Sequence, residues 1–126
     1  MSVALWSVLF AALLPILTVG FAKRMGGRYN NNDPRKTAAQ YEGVAKRAYA
    51  AHQNGYEAFP LFAAAVLVAE MKGAPRGLVD MLALGYVALR IGYVGAYMAD
   101  KPNLRSILWA LSLFAAIAIF IAPLWR

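Results

Sequence analysis

The chain has 126 residues, of which 61% are hydrophobic and 15% charged, and it carries a formal net charge of +7. That is too apolar for a soluble domain of this length, and the plain reading is a membrane protein. The absence of cysteine excludes disulfides, thiolate metal sites and a protein-borne thiol nucleophile.

Residues 3–22 carry no charge and are predicted to form a first spanning helix, since about 18 or more consecutive apolar residues suffice to cross a bilayer. No basic stretch precedes them and no small-residue cleavage pattern follows, so the segment reads as a retained helix rather than a signal peptide. Pro15 is a candidate kink. Lys23 to Glu42 is read as a polar loop, because Gly26-Gly27 and Asn30-Asn-Asn-Asp33-Pro34 favour turns and end helices.

The second helix is predicted over 44–70, and it opens with an unusual run, Arg47-Ala-Tyr-Ala-Ala-His52-Gln-Asn54-Gly-Tyr-Glu57-Ala-Phe-Pro60. At ~100° per residue Arg47, Asn54 and Glu57 fall within an arc of roughly 80°. Polar and charged groups at membrane depth are expensive, so this stripe is a functional-site candidate by default. Pro60, one turn beyond Glu57, is expected to kink the helix and shape the site. His52, the sole histidine, lies about 140° round the helix from Arg47, which argues against a catalytic dyad.

Gly73-Ala74-Pro75 separates this helix from a third at 77–99, on which Tyr86, Arg90, Tyr93 and Tyr97 share an arc of roughly 60°. Arg90 lies near mid-span and should need a buried anion, for which Glu57 is the one carboxylate at comparable depth; an Arg90–Glu57 ion pair is therefore expected. Asp80 is read as a dipole partner or cap at the start of its own helix. The turn Asp100-Lys-Pro102-Asn103 leads into a fourth helix at 104–125, with Asn103 as a candidate cap. Arg105-Ser106 opens that helix at the membrane edge, where Arg105 either snorkels to lipid phosphates or stabilises a small-molecule thiolate.

Short connections favour antiparallel neighbours, so the expected fold is one all-α integral membrane domain over 1–126, an up-down-up-down bundle of four transmembrane helices. Lys23, Arg24, Arg28, Arg35, Lys36 and Lys46 crowd the first loop, and Lys101 and Arg105 flank the third. Only Lys72 and Arg76 lie in the second, and Arg126 alone marks the C-terminus. The positive-inside rule then places loops one and three in the cytoplasm and both termini outside, with Trp6 and Trp125 at one interface. This topological pattern accounts for the net charge better than nucleic-acid binding does. No nucleotide loop, zinc pattern or serine triad is present.

Taken together, Arg47 through Asn54 with Glu57 and Pro60, the Arg90-x-x-Tyr93-x-x-x-Tyr97 run and the Arg105-Ser106 pair resemble the MAPEG family, the membrane-associated proteins of eicosanoid and glutathione metabolism, and its short bacterial members in particular. The resemblance covers nearly the whole chain. It implies a homotrimer in a bacterial cytoplasmic membrane, with glutathione as co-substrate between adjacent subunits near the cytoplasmic surface. It further implies that Asn54, Glu57, Tyr93 and Tyr97 hold glutathione, that Arg105 activates its sulfur and that Ser106 assists. Arg24, or else Lys23, would match a basic residue that meets a glutathione carboxylate, and Arg90 joins the candidate binding set. The chain departs from the family pattern at Gln53, where several members are basic, and at Trp109 and Ala110, where some carry hydroxyls.

The function expected on this basis is a membrane-bound glutathione-dependent transferase or peroxidase. Its apolar electrophile would enter by a lipid-facing cleft beside helices one and four. The alternatives are a non-enzymatic lipid- or partner-binding member and a proton-coupled exporter that uses Glu57.

Overall fold

A computed structural model provides the fold; the structure describes residues 1–125, and Arg126 lies outside them. The described chain is helical, in the order α1 (Val3–Met25), α2 (Pro34–Ala39), α3 (Gly43–Met71), α4 (Arg76–Met98) and α5 (Pro102–Ile121), closed by a 3₁₀ turn at Ala122–Trp125. Three segments are long and apolar enough to cross a membrane: Val3–Met25, Arg76–Met98 and Pro102–Trp125, with mean hydropathies of 2.2, 1.4 and 2.5. α3 is the longest helix at 29 residues. It is not among those three because Lys46, Arg47, His52, Gln53, Asn54 and Glu57 dilute its first half.

α1 packs on α3 and α4, and α5 packs on α4 and α3, so α3 and α4 form the shared middle and α1 and α5 the outer corners. The helices alternate in direction. Ser2 Oγ, at the start of α1, donates to Glu70 Oε1 at the end of α3, and Asp80 of α4 accepts the Ala4 amide at 2.8 Å. Asp80 therefore caps a neighbouring helix rather than its own: it satisfies one of the unpaired amides in the first turn of α1, while Ser2 Oγ satisfies the next one, Leu5 N. Ala122 joins Ala4, Ala69 and Val79 in one buried cluster, which puts both chain ends at this end of the bundle.

The core is built from small residues, Ala48, Ala51, Ala65, Ala83 and Ala116 among them, around the fully buried Phe62 and Ile119. Small side chains let helix axes approach where lipid is as apolar as the core and water supplies no driving force. α3 crosses α1 closely at Gly55, where an added Cβ would lie 2.7 Å from Pro15 Cγ. Pro15 and Pro60 both lie inside unbroken helices. The outward faces carry Leu13, Leu17 and Phe21 on α1 and Ile107, Phe114 and Phe120 on α5, an apolar coat suited to lipid.

Two local expectations are corrected. The first loop contains α2, six residues begun by Asp33, whose carboxylate accepts the Lys36 amide, with Pro34 in the first turn. At the head of α5 the N-cap position is Lys101, followed by Pro102, so Asn103 is already inside the helix. The loop is fastened to the bundle by the buried Tyr41, whose ring lies where a side chain at Gly26 would be. Burial pushes the Tyr41 phenol above its ordinary range, partly offset by Lys23.

Candidate functional site

The two polar stripes meet at the α3–α4 seam. Arg90 is 4% exposed and donates from Nη2 to Asn54 Oδ1 at 2.7 Å. Its guanidinium carbon lies 4.2 Å from the centre of the Tyr93 ring. The expected Arg90–Glu57 ion pair is absent among the described residues. Glu57, one turn beyond Asn54, is exposed and lines the trough beside the seam, so the neutral amide takes the position expected for the carboxylate. Arg90 Nη1 is buried and has no hydrogen-bond partner. Buried polar groups are nearly always satisfied, so an unpaired guanidinium N–H marks a place where an acceptor from outside the chain would be stabilised.

From Arg90 the α4 stripe runs toward the loop-one end as a stack. Tyr93 and Tyr97 meet edge to face at 5.7 Å, and the Arg105 guanidinium carbon lies 4.5 Å from the Tyr97 ring centre. Cations over aromatic faces are stabilised by the ring quadrupole without losing their charge. In the other direction Tyr86 stacks on Phe62 at 3.9 Å, which fixes the deep end of the stripe in the core.

Above this floor lies a trough of about 210 Å³, walled on the α3 side by Asn54, Glu57, Ala58 and Leu61 and on the α5 side by Trp109, Ser112, Leu113 and Ala116. One end is polar and the other apolar. Arg105 stands one turn before Trp109 on α5, toward the polar end. Ser112 Oγ is spent on the Trp109 carbonyl of its own helix, so it offers the trough no free donor. Such a site suits a ligand with charged groups at one end and an apolar partner at the other.

Of the sequence-predicted site residues, Asn54, Glu57 and Arg90 line the trough, and Tyr93, Tyr97 and Arg105 are linked to Arg90 by successive ring contacts without lining it. Ser106 is exposed on α5 and does not line it. Arg24 is exposed at the end of α1, a helix that does not contribute to this trough. Two further positions were not expected there. Leu61 and Leu113 supply its apolar half, and the sequence signal available was their spacing from Glu57 and Trp109 by one turn.

His52 stands away from the trough. Its Nδ1 is 2.8 Å from the Pro15 carbonyl oxygen, and its ring sits between Tyr49 and Tyr56, with ring centres 5.4 and 5.0 Å away. No group of His, Asp and Glu able to hold a metal occurs among the described residues.

A sequence model of the MAPEG family matches residues 3–125. No curated protein and no solved structure matches the chain.

Proposed function

The chain belongs to the MAPEG family and is a multi-pass integral membrane protein, and from that premise we propose that it is a membrane-bound glutathione-dependent transferase or peroxidase acting on hydrophobic electrophiles. The observation that carries this reading is the buried Arg90 with an unpartnered Nη1, set between exposed Glu57 and the Arg105–Tyr97 stack. Glutathione has two carboxylates, one ammonium and a thiol. Glu57 complements the ammonium, Arg90 complements a carboxylate, and Asn54 and the two phenols offer neutral hydrogen bonds.

Arg105 then faces the sulfur. Lowering a thiol pKa by two units takes about 2.7 kcal/mol, within reach of one partly desolvated guanidinium that no carboxylate neutralises. The thiol proton leaves to water. The thiolate then attacks an electrophilic carbon, either adding to a polarised double bond, whose resulting carbanion takes a proton from water, or displacing a leaving group that departs with its bonding pair as the carbon–sulfur bond forms. An acceptor lying along Leu61, Leu113 and Trp109 would bring its apolar body from the bilayer.

On this reading α3 also spans the membrane. At 1.5 Å per residue its 29 residues reach ~43 Å, longer than a hydrocarbon core of about 30 Å, so its first turns stand in the cytoplasmic headgroup region with both chain termini on the far side. α1 packs on the α3–α4 pair while the trough opens between α3 and α5, so Arg24 serves the trough of a neighbouring copy. With α1 and α5 at outer corners, the cleft between the first and last helices would form between subunits of the homotrimer that the family implies.

A second reading, a non-enzymatic member that binds a lipid or a partner protein, draws on Trp109, whose indole extends the apolar half of the trough. Calorimetric titration of the detergent-solubilised protein separates the two. The enzyme reading expects saturable glutathione binding that Glu57→Gln weakens, and the absence of binding at millimolar glutathione would leave the second reading in its place.

A further inference from the structure

Arg47 is the member of the polar α3 face that the trough does not use. Its Nε donates to the carbonyl oxygen of Met98, the last residue of α4, at 3.0 Å. The last four carbonyls of a helix have no intrahelical amide to accept. In α4 the carbonyls of Gly95, Ala96 and Tyr97 accept from the amides of Ala99, Lys101 and Asp100, with Asp100 in the left-handed region at φ 59°. The carbonyl of Met98 accepts from Arg47, so all four are satisfied and one of them is satisfied from a different helix.

This corner separates two site residues. Tyr97 lies just before it and Arg105 just after it, in the turn where α5 begins with the Arg105 amide bonded to the Lys101 carbonyl. Their stacking at 4.5 Å depends on the angle at which α5 leaves α4. Arg47 and Asn54 thus make two rungs from α3 to α4, one on Met98 and one on Arg90, and they clamp the α4 segment that carries Tyr93 and Tyr97 at both ends.

We propose that Arg47 is a positioning residue: by closing the final carbonyl of α4 from the adjacent helix, it fixes the α4–α5 corner and so holds Arg105 over Tyr97 at the thiol. This rests on the reading of the trough as a thiol-activating site, and the experiment has an arm that does not. In Arg47→Met the pH midpoint for thiolate formation by bound glutathione, followed by thiolate absorbance, should rise by about one unit, a tenfold loss of thiolate below the midpoint. Binding of an S-alkyl glutathione, which has no ionisable thiol, should be unchanged. Arg47→Lys retains a donor and should recover part of the shift.

The arm independent of the ligand is hydrogen exchange in the unliganded protein, where Arg47→Met should speed exchange of the Ala99, Asp100 and Lys101 amides relative to the α1–α3 core. An unchanged midpoint in Arg47→Met overturns the proposal whatever the exchange rates do. If wild type binds no glutathione, the thiol-site reading fails by itself, and unchanged corner exchange then overturns the positioning role as well. If Arg47→Met does not fold, both measurements on Arg47→Lys decide in the same way.

Discussion

Arg90 is held by a neutral amide and an aromatic face, which leaves its charge uncompensated in a place where compensation is valuable. Asn54→Leu would strand that guanidinium, and the bundle should lose about 2–3 kcal/mol, read from unfolding in graded denaturing detergent. Glu57→Gln is the contrasting case. Glu57 is exposed and has no ion pair with Arg90, so its neutralisation should change stability by no more than ~0.5 kcal/mol. Glutathione affinity should nevertheless fall about tenfold or more in the same variant, as expected for the loss of a hydrogen bond to a charged group. The need of Arg90 for a partner was legible from its depth in an apolar segment. Its partner was not, because helical spacing places Asn54 and Glu57 on one face without saying which of them points at the seam.

The elements are positioned by a few close contacts and caps. Gly55 allows α3 to cross α1 at Pro15, so Gly55→Ala should cost about 1–3 kcal/mol through overpacking, and Pro15→Ala in the same chain should restore part of it. Asp80→Ala should cost about 1 kcal/mol by uncapping α1, a helix distant in sequence, and the loss should appear as faster amide exchange at Ala4. The long apolar helices were legible from hydropathy and their turns from Gly73, Pro75 and Pro102. α2 was hidden because six residues are too few to show a helical periodicity, although the Asp33-Pro34 start signal was present. Interhelical caps such as Asp80 on Ala4 or Arg47 on Met98 leave no trace in local sequence, since the acceptor or donor is a backbone group of another element.

At the scale of the molecule, two outer helices flank a polar seam that opens between α3 and α5. The seam has cationic and phenolic groups at one end and aliphatic walls at the other, and no residue of α1, the helix that carries Arg24, lines the trough. If Arg24 serves the trough of a neighbouring copy, native mass measurement in mild detergent should give trimers, and an Arg24→Ala variant should still form trimers but bind glutathione more weakly. On the proposed function, Arg105 lowers the pKa of a bound thiol. The most direct test of this is the thiolate absorbance that develops when glutathione is added near neutral pH to the wild type and to Arg105→Ala. The wild type should give a saturable thiolate signal that disappears in Arg105→Ala while the assembly stays intact; an equal signal in both proteins, or none in either, would rule out thiol activation by Arg105.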